Sequence, residues 1–395
     1  MSRVFFSKLL KKVWEQQKGL PDFTIHYWDN SVQNFGKKPK FILHFKNEGA
    51  LIRTLSNPTL GFGEEYMDNN IEIEGNMKEF MRFVWTTNIA KLPISFYDKI
   101  KFLFLNITQK NTIIGARKNI AHHYDLGNDF YKLWLDRHMV YSCAYFRNNN
   151  ESLEKAQEQK IDHICKKLRL KKGETLLDIG CGWGSLIMHA AKKYKVKALG
   201  ITLSKEQVKL ARERIKKAKI KNCEVRLADY RELNKTFDKI VSVGMFEHVG
   251  KDNIPAYMKS IDKMLKPKGI SLLHTIGVMR EEGVDPWTKK YIFPGGYLPS
   301  LDEISGEMGN HKFSIIDFEN LRMHYAKTLD NWAERFEKNT ISIRKMFDER
   351  FIRMWRLYLN SASAGFRHGN LQLFQILFTR YNNNDIPLTR DHIYY

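Results

Sequence analysis

One stretch of the sequence decides the fold: Leu176-Leu177-Asp178-Ile179-Gly180-Cys181-Gly182-Trp183-Gly184. Its first half is mostly apolar, which is typical of a short strand that is covered on both faces. Gly180, Gly182 and Gly184 follow at alternate positions, where glycine permits positive φ angles and the close approach of a ligand to the backbone. The residues after Gly184 are apolar at helical spacing. A strand that ends in glycines at a helix N-terminus is typical of a nucleotide-binding site.

Strands and helices alternate regularly downstream of this stretch. We predict further strands at four places: residues 196–201, 223–227, 237–243 and 270–276. Helices are predicted between them, one of which has Ser204 as its N-cap and Gln207 completing a capping box. This alternation predicts an α/β fold, a Rossmann-like domain with a mostly parallel sheet. The site is then expected at the carboxyl ends of the strands.

The first part of the chain predicts a smaller α+β domain. Strand-like segments occur at 41–45 and 71–74, and a helix with one proline interruption is predicted over about 77–107. Residues 2–18 predict a basic amphipathic helix. Its apolar face either lies in a lipid interface or packs on its own domain, and the second outcome is the commoner one. A polar break at 109–112 predicts the domain boundary.

Composition and charge narrow the classes of partner. At 395 residues and 43% hydrophobic content, the chain can bury one large core and a smaller one. The formal net charge of +21 predicts attraction to a polyanion, either nucleic acid or an anionic membrane surface. The sequence carries no nucleic-acid recognition motif, so we expect no nucleic-acid partner. It also shows no apolar run of roughly 20 residues, no signal-peptide pattern and no metal-binding cysteine spacing, which predicts a reduced, cytoplasmic, metal-free protein.

An aromatic and histidine-rich segment precedes the glycine-containing strand. It covers residues 122–131, and a second aromatic segment, Tyr141-Ser142-Cys143-Ala144-Tyr145-Phe146, follows it. A single histidine here would most simply be structural. The density of aromatic and polar side chains instead predicts a segment that lines a site. A helix predicted over 151–168 then leads into the strand.

The motif L-D-I-G-C-G-W-G (177–184) resembles the first motif of the Rossmann-like S-adenosylmethionine (SAM) methyltransferases, in which the glycine turn holds the methionine part of SAM. Further segments, in the same order along nearly the whole chain, are similar to those of one family, the cyclopropane-fatty-acid-phospholipid synthases. These segments are L-G-F-G-E-E-Y-M-D (60–68), H-Y-D-L-G-N-D-F (123–130), Y-S-C-A-Y-F (141–146), V-S-V-G-M-F-E-H-V-G (241–250), L-L-H-T-I-G (272–277), Y-I-F-P-G-G-Y-L-P-S (291–300) and F-R-H-G-N-L-Q-L-F-Q (366–375).

The resemblance implies which residues bind SAM, the methylene donor. They are Tyr141, Ser142, Asp178, Gly180, Gly182, Gly184, Thr202, Gln207, Asp229 and Tyr230. Many related methyltransferases place an acidic residue after the second strand, where it binds the ribose hydroxyls. Thr202 and Gln207 occupy that loop here, and both side chains are able to hydrogen-bond a diol.

The resemblance also implies the reaction. A cis double bond in the acyl chain of an unsaturated phospholipid attacks the SAM methyl group, and a base then removes a proton from the transferred methyl as a cyclopropane ring closes. In the family the base is proposed to be bound bicarbonate, which here would be held by Glu247, His274 and Tyr325 with contacts at Cys143 and Ile276. Because an alkene is a weak nucleophile, the site has to hold it in line with the sulfonium and exclude water.

The family further implies a peripheral enzyme on the inner face of an anionic membrane, and a homodimer. We therefore predict a lipid- or membrane-docking domain over 1–112 and a SAM-dependent catalytic domain over 113–395. The catalytic domain is divided into a lead-in segment that lines the site, a Rossmann-like core, and a substrate-side insertion with the C-terminal part: residues 113–170, 171–280 and 281–395.

Three alternatives stay open. A methyltransferase of the same fold that yields a methyl- or methylene-branched lipid shares the first step of the reaction. A methyltransferase that acts on a small amine shares much of the motif set. A lipid- or nucleic-acid-binding protein could keep the fold without catalysis. Ala362 stands where some family members carry a cysteine, which excludes a cysteine nucleophile at that position.

Overall fold

The computed structural model describes residues 2–87, 126–381 and 383–394. The predicted helix beyond residue 87, the predicted boundary at residue 112 and residues 122–125 of the histidine-rich segment lie outside these ranges. The chain forms two compact units. The first unit comprises Met1–Gln109, Asp285–Ile292 and Trp332–Asn370, and the second comprises Lys110–Val284, Phe293–Asn331 and Leu371–Tyr395.

Both units contain helices and strands. The strands are β1 (Phe23–His26), β2 (Val32–Phe35), β3 (Phe41–Phe45), β4 (Ile71–Gly75), β5 (Thr175–Ile179), β6 (Lys197–Thr202), β7 (Cys223–Leu227), β8 (Phe237–Val243), β9 (Leu265–Gly277), β10 (Phe313–Asn320) and β11 (Gln372–Arg380). The helices are α1 (Ser2–Gln16), α2 (Glu48–Ser56), α3 (Leu60–Met67), α4 (Met77–Thr87), α5 (Asn128–Lys132), α6 (Leu153–Lys167), α7 (Ser185–His189), α8 (Lys205–Lys217), α9 (Ile254–Met264), α10 (Pro286–Tyr291), α11 (Leu301–Asn310), α12 (Arg322–Lys338), α13 (Thr340–Arg344), α14 (Glu349–His368) and α15 (Asp391–Tyr394).

The first unit is built on a four-stranded sheet in the order β2-β1-β3-β4. Side chains of β3 alternate between buried and half-buried, as expected for a strand with one covered face. Phe23 stacks between Phe35 and Phe41, with ring centroids 4.3 and 5.2 Å away. These aromatic contacts across neighbouring strands form the centre of the unit's core.

Helix α1 packs its apolar face on the first unit itself. Phe6 and Leu10 are buried, and the Phe6 ring meets Phe45 of β3 edge-on at 5.7 Å. Trp14 contacts Phe35 in a similar way at 6.3 Å. Of the two outcomes predicted for this helix, the structure therefore shows packing on its own domain.

Helix α14 belongs to the first unit, although it lies more than 250 residues after the sheet. Buried Arg353 donates hydrogen bonds to the carbonyls of Tyr66 and Ile71 and pairs with Glu72 at 2.8 Å. The division into compact units therefore differs from the linear division at residue 112, because residues 332–370 return to the N-terminal sheet. The functional labels of the predicted domains stay predictions.

The second unit is built on a seven-stranded sheet in the order β10-β11-β9-β8-β5-β6-β7. Strands β5 to β9 are parallel to one another, and β11 runs antiparallel to both β9 and β10. The predicted α/β fold with a mostly parallel sheet is thereby confirmed. Helices cover both faces of the central strands, whose side chains are almost all buried, as in doubly wound folds.

The predicted strands of this sheet are present with small shifts. The third and fourth occupy the predicted residues, and the second is displaced by one. The fifth begins earlier, at Leu265, and carries a bulge, since Phe237 pairs with Leu265 whereas Lys239 pairs with Ile270. Lys268, between these two pairings, has a φ of 63°.

The capping box predicted at the start of α8 is only half formed. The Ser204 hydroxyl accepts from the backbone N–H of Gln207 at 3.3 Å, as predicted. The Gln207 side chain does not return to the cap, because its Oε1 accepts from the Thr202 hydroxyl at 2.6 Å. A hydrogen bond between two of the predicted SAM-binding residues replaces the second half of the capping box.

None of the helices within the described ranges is long and apolar enough to cross a membrane.

Two glycines test the packing at helical positions. A Cβ on Gly61 of α3 would lie 2.2 Å from the carbonyl oxygen of Arg53, a backbone atom that has no rotamer to adopt. We expect Gly61→Ala to lower the free energy of unfolding by about 1–3 kcal/mol. Gly306→Ala in α11 is the matched control, because a Cβ there meets open space, and helix propensity alone favours alanine by up to about 1 kcal/mol. Urea unfolding measures both, and equal effects would refute the steric account.

Candidate active site

The glycine turn after β5 has the backbone that its sequence requires. Gly180, Gly182 and Gly184 have φ angles of 83°, 54° and 80°. The N–H groups of Gly180 and Cys181 both donate to the carbonyl of Ile201, at 2.9 and 3.0 Å, which ties the turn to β6. A Cβ on Gly182 would meet nothing within 4 Å. The turn therefore presents bare backbone to an open space.

That space is a cleft at the carboxyl ends of β5 to β8, enclosing about 1170 Å³ up to its open mouth. Nine of the ten residues predicted to bind SAM line it: Tyr141, Ser142, Asp178, Gly180, Gly182, Thr202, Gln207, Asp229 and Tyr230. The tenth, Gly184, is the N-cap of α7 and does not line the cleft. A Cβ there would make only ordinary contact with Ala211 at 3.4 Å, so the φ of 80° and not the lack of space favours glycine.

Side chains around the cleft are held by local hydrogen bonds. The carboxylate of Asp229 forms a two-point pair with Arg231, with both distances at 2.8 Å. Trp183 donates from its indole nitrogen to Asn128 at 2.7 Å, which ties the turn to α5. Arg214 of α8 donates to the carbonyl of Trp183 at 2.8 Å. Such contacts fix the cleft walls before any ligand binds.

Asp178 is the polar group at the bottom of the cleft. It is 2% exposed, and its Oδ1 has no hydrogen-bond partner among the described residues. Burial raises the pKa of this carboxyl to about 7, while nearby Lys160 acts in the opposite direction. A buried carboxyl with an unused acceptor is costly unless a ligand supplies the donor.

Glu247 and His274 form a second polar group, outside the lining of the cleft. Oε1 of Glu247 accepts from the backbone N–H of Ile276 at 2.6 Å, and its Oε2 has no partner among the described residues. Burial raises the pKa of Glu247 to about 7. The side-chain nitrogen of Gln375 donates to Nδ1 of His274 at 3.1 Å, which leaves the proton on Nε2.

His274 is therefore a neutral donor. Burial holds its pKa well below the ordinary value, so the ring does not take a second proton near neutral pH. Its Nε2, like Oε2 of Glu247, lacks a partner among the residues that the structure describes. One unused donor and one unused acceptor thus lie buried at the ends of β8 and β9.

Backbone hydrogen bonds link the remaining predicted catalytic residues to this pair. Ile276 of β9 faces Leu373 of β11, whose carbonyl accepts from the N–H of Leu321 at 2.8 Å. The carbonyl of Leu321 in turn accepts from the N–H of Tyr325 at 3.1 Å and lies 3.9 Å from Sγ of Cys143. Cys143 and Tyr325 are thereby linked to Ile276, and through it to Glu247, by contacts at Leu321 and Leu373.

The segment that carries Cys143 is held by α12. The N–H of Ala144 donates to the Thr328 hydroxyl, and the N–H of Phe146 donates to Nδ1 of His324, both at 3.0 Å. Cys143 is fully buried, and burial raises the pKa of its thiol far above the ordinary value. The thiol therefore stays protonated and is not a nucleophile.

Comparison with known proteins agrees with this geometry. Residues 112–376 match the family model for mycolic acid cyclopropane synthetase, and residues 5–92 match a domain of unknown function. The cyclopropane-fatty-acyl-phospholipid synthase of Escherichia coli (strain K12) is 41% identical over 353 residues, which covers 88% of this chain and 90% of the relative. The chain belongs to the cyclopropane synthase family. The predicted family and enzyme class are thereby confirmed.

Other members of the cyclopropane synthase family extend the comparison. The tuberculostearic acid methyltransferase UfaA1 of Mycobacterium tuberculosis is 35% identical over 360 residues, covering 86% of this chain and 83% of the relative. The crystal structure of the mycolic acid cyclopropane synthase CmaA1 complexed with SAH and CTAB has a TM-score of 0.63 and 34% identity. The superposition covers 66% of this chain and 97% of the CmaA1 chain. These relatives support SAM as the donor in methylene transfer to lipid double bonds.

Sequence reasoning did not name two polar residues that the structure places at the cleft and beside His274. Lys160 lines the cleft, and Gln375 sets the tautomer of His274. The signal for Lys160 was its place among Ala156, Ile161 and Ile164, on the buried face of α6. Gln375 ends the segment 366–375 that resembles the family, but its pairing with His274, 101 residues away, could not be read from a local pattern.

Glycine substitutions separate backbone strain from ligand binding. A Cβ on Gly182 meets no protein atom and enters the cleft. We expect Gly182→Ala to weaken SAH binding more than tenfold, because the added methyl occupies space that the ligand needs. The left-handed backbone at this position also makes the alanine variant about 1–2 kcal/mol less stable. Gly173→Ala is the matched control, with a φ of 91° and open space but outside the cleft. Calorimetric titration with SAH that finds equal losses in both variants would contradict the assignment.

Proposed function

We propose that this protein transfers a methylene group from SAM to the cis double bond of unsaturated phospholipid acyl chains, forming a cyclopropane ring. The observation that carries the proposal is two buried polar atoms without partners among the described residues, Oε2 of Glu247 and Nε2 of His274. Glu247 directly precedes His248, which lines the cleft. Nitrogen methylation of a small amine does not require a buried anion site next to the methyl donor. A carbon methylation that has to end in loss of a proton does require a base there.

Bicarbonate fits the residues that are present. It carries a hydroxyl that can donate to Glu247 and oxygens that can accept from the neutral Nε2–H of His274. Tyr325 supplies a hydroxyl on the adjoining turn of α12, and Cys143 and Ile276 complete the cradle through their backbone or neighbouring contacts. Bound there, bicarbonate would supply the base that accepts the proton. A small buried anion is tolerable only where such donors surround it.

The chain's own residues would do the rest of the chemistry. The double bond forms a carbon–carbon bond to the SAM methyl as the carbon–sulfur bond breaks, which gives SAH and a carbocation on the lipid. Loss of one proton from the new methyl closes the ring. The site holds the alkene in line with the sulfonium, and its burial excludes water that would otherwise trap the cation.

The cofactor cleft would hold SAM through the residues predicted for it. Asp178 faces the amino-acid end beside the glycine turn, while Thr202 and Gln207 bind the ribose hydroxyls from the loop after β6. Asp229 and Tyr230 lie at the end of β7, where an adenine ring would rest. Tyr141 and Ser142 cover the cleft from the lead-in segment.

A second product is favoured by one observation, the 35% identity to the tuberculostearic acid methyltransferase. The two outcomes share the attack of the alkene on SAM and differ in the fate of the cation. Loss of a proton from the transferred methyl closes the ring directly, whereas a methylene branch loses that proton only after a hydride shift has moved the cation onto the carbon that bears the methyl. We propose the ring because a base held by the unused atoms of Glu247 and His274 would take the proton before such a shift.

We further propose that the protein docks peripherally on the anionic inner surface of a membrane, and that it forms a homodimer. The net charge of +21 supports electrostatic docking. Burial of Phe6 and Leu10 argues against an α1 that inserts its apolar face into lipid. The exposed lysines of α1 are a candidate contact through charge instead.

Mass spectrometry of lipids distinguishes the products. Liposomes of anionic phospholipid with cis-monounsaturated chains are incubated with the protein and isotope-labelled SAM. We expect acyl chains heavier by one methylene unit that resist mild hydrogenation, because the ring has replaced the double bond. The same mass gain with a reducible double bond would mean methylenation and would contradict ring closure. SAH formation only with small amines would contradict the lipid substrate.

The proposed binding of bicarbonate by Glu247 predicts that kcat depends on pH. Glu247 accepts from a bicarbonate hydroxyl only as a carboxylate, and burial raises its pKa to about 7. We expect kcat at saturating SAM to rise with pH through about 7, and to fall in buffer stripped of carbon dioxide until bicarbonate is restored. Glu247→Gln keeps one oxygen for the N–H of Ile276 but puts an NH2 donor in place of the unused Oε2, so it should lower kcat at least a hundredfold and abolish the bicarbonate response while SAH binding is kept. A bicarbonate-independent wild type would refute this base.

Vesicle sedimentation tests the docking surface. Lys8, Lys11 and Lys12 of α1 are exposed, and each lysine near an anionic surface contributes about 1 kcal/mol. We expect the triple Gln variant to bind anionic vesicles roughly a hundredfold more weakly, with a smaller salt dependence. The control replaces exposed Lys216, Lys217 and Lys219 and removes the same charge elsewhere. Equal losses would indicate a diffuse charge effect instead of docking through α1.

A further inference from the structure

Lys160 is a buried cation that the assignments above leave unused. It lies on α6, is 2% exposed and lines the cleft together with Ser142 and Asp178. Its Nζ donates to the Ser142 hydroxyl at 2.8 Å. An ammonium carries three N–H groups, and a hydroxyl cannot neutralise its charge.

A second lysine on the same helix shows the usual solution. Lys167, seven residues on, is 1% exposed, and its Nζ lies 2.9 Å from Asp317 and 2.7 Å from Glu319. Lys160 has no carboxylate within ion-pair distance among the described residues. Burial lowers the pKa of Lys160 to about 8, and the charges of Cys143, Asp136 and Asp178 oppose this shift more weakly. The charge of Lys160 also acts on His274 of β9, where it helps to lower the pKa of the imidazole. The counter-ion of Lys160 is therefore expected from a ligand.

The other residues that line the cleft indicate which class of ligand would pair with Lys160. Lys160 offers a cation, and Asp178 in the same cleft offers a carboxyl whose Oδ1 has no partner among the described residues. Both line the cleft together with Gly180 and Gly182 of the glycine turn. A cation and a carboxyl that line one cleft without pairing with each other fit an α-amino acid, which carries one charge of each sign, better than they fit a single anion such as bicarbonate.

We propose that Lys160 binds the carboxylate of the cofactor's methionine moiety, with Ser142 orienting the ammonium and Asp178 facing the α-amino group. The inference rests on the assignment of this cleft to SAM. It makes Lys160 a specificity-determining residue for the amino-acid end of the cofactor. The adenosine end is read elsewhere in the cleft.

Ligand truncation tests the pairing. Calorimetric titration of the full chain compares SAH with decarboxylated SAH, which lacks only the carboxylate, and with 5′-methylthioadenosine, which lacks the whole amino-acid group. We expect Lys160→Met to weaken SAH binding roughly tenfold to a hundredfold, the range for a lost charged hydrogen bond. Its affinity for decarboxylated SAH and for 5′-methylthioadenosine should match that of the wild type, because neither ligand has a carboxylate for Lys160 to bind.

Stability distinguishes this role from a structural one. Replacing a buried cation by an apolar side chain of similar shape is neutral or stabilising, so we expect Lys160→Met to keep or raise the melting temperature while it loses SAH affinity. Lys167→Met is the matched control. It removes the cation that Asp317 and Glu319 share, leaving Asp317 with Arg390 and Glu319 with His163, so it should lower the melting temperature without discriminating between SAH and its decarboxylated analogue.

If Lys160→Met does not fold, Ser142→Ala is a second variant that tests the same proposal. It removes the hydroxyl that orients Nζ and should reduce the preference for SAH over decarboxylated SAH several-fold. Equal losses for SAH and decarboxylated SAH in Lys160→Met would overturn the Lys160 proposal alone. A shift in the bicarbonate dependence without any change in SAH affinity would overturn it too, in favour of the catalytic anion. Failure of the wild type to bind SAH would instead defeat the assignment of the cleft.

Discussion

Burial of polar groups that the protein itself does not satisfy is the constraint on which this site depends. A folded chain normally pairs its buried donors and acceptors, because each one left unpaired costs about 1–3 kcal/mol. Here Asp178, Glu247 and His274 each keep one buried atom without a partner among the described residues. All three stand at the carboxyl ends of parallel strands, where the sheet leaves room for a ligand. The fold tolerates that cost where cofactor and base are expected to bind.

Local patterns in the sequence were sufficient for much of the fold and for the cofactor cleft. The glycine turn follows from residues within one strand-turn-helix unit, and β7 and β8 occupy their predicted residues. Nine predicted cofactor residues meet in one cleft because parallel strands bring their ends to one edge. Only the family resemblance suggested Cys143, Glu247, His274, Ile276 and Tyr325, whose neighbourhood is assembled by contacts across the sheet.

Other features depend on pairings too distant for a sequence pattern to reveal. Gln375 determines the tautomer of His274 from another strand. Arg353 attaches α14 to the N-terminal sheet through carbonyls that any sequence could provide. The capping box at α8 was half wrong for a related reason, since Gln207 finds a better partner in Thr202 than in the cap. In each case a tertiary contact overrides or replaces the local rule.

The antiparallel strand β11 has a consequence for synthesis of the chain. It contributes Gln375 to the middle of the sheet, beside β9, although it is the last strand to leave the ribosome. Before residue 375 emerges, β9 has an open edge and His274 lacks the group that selects its tautomer. A nascent chain can therefore fold around the glycine turn early while its second polar group stays incomplete. Premature termination anywhere before β11 would leave the cleft without the strand that completes the hydrogen bonding of His274.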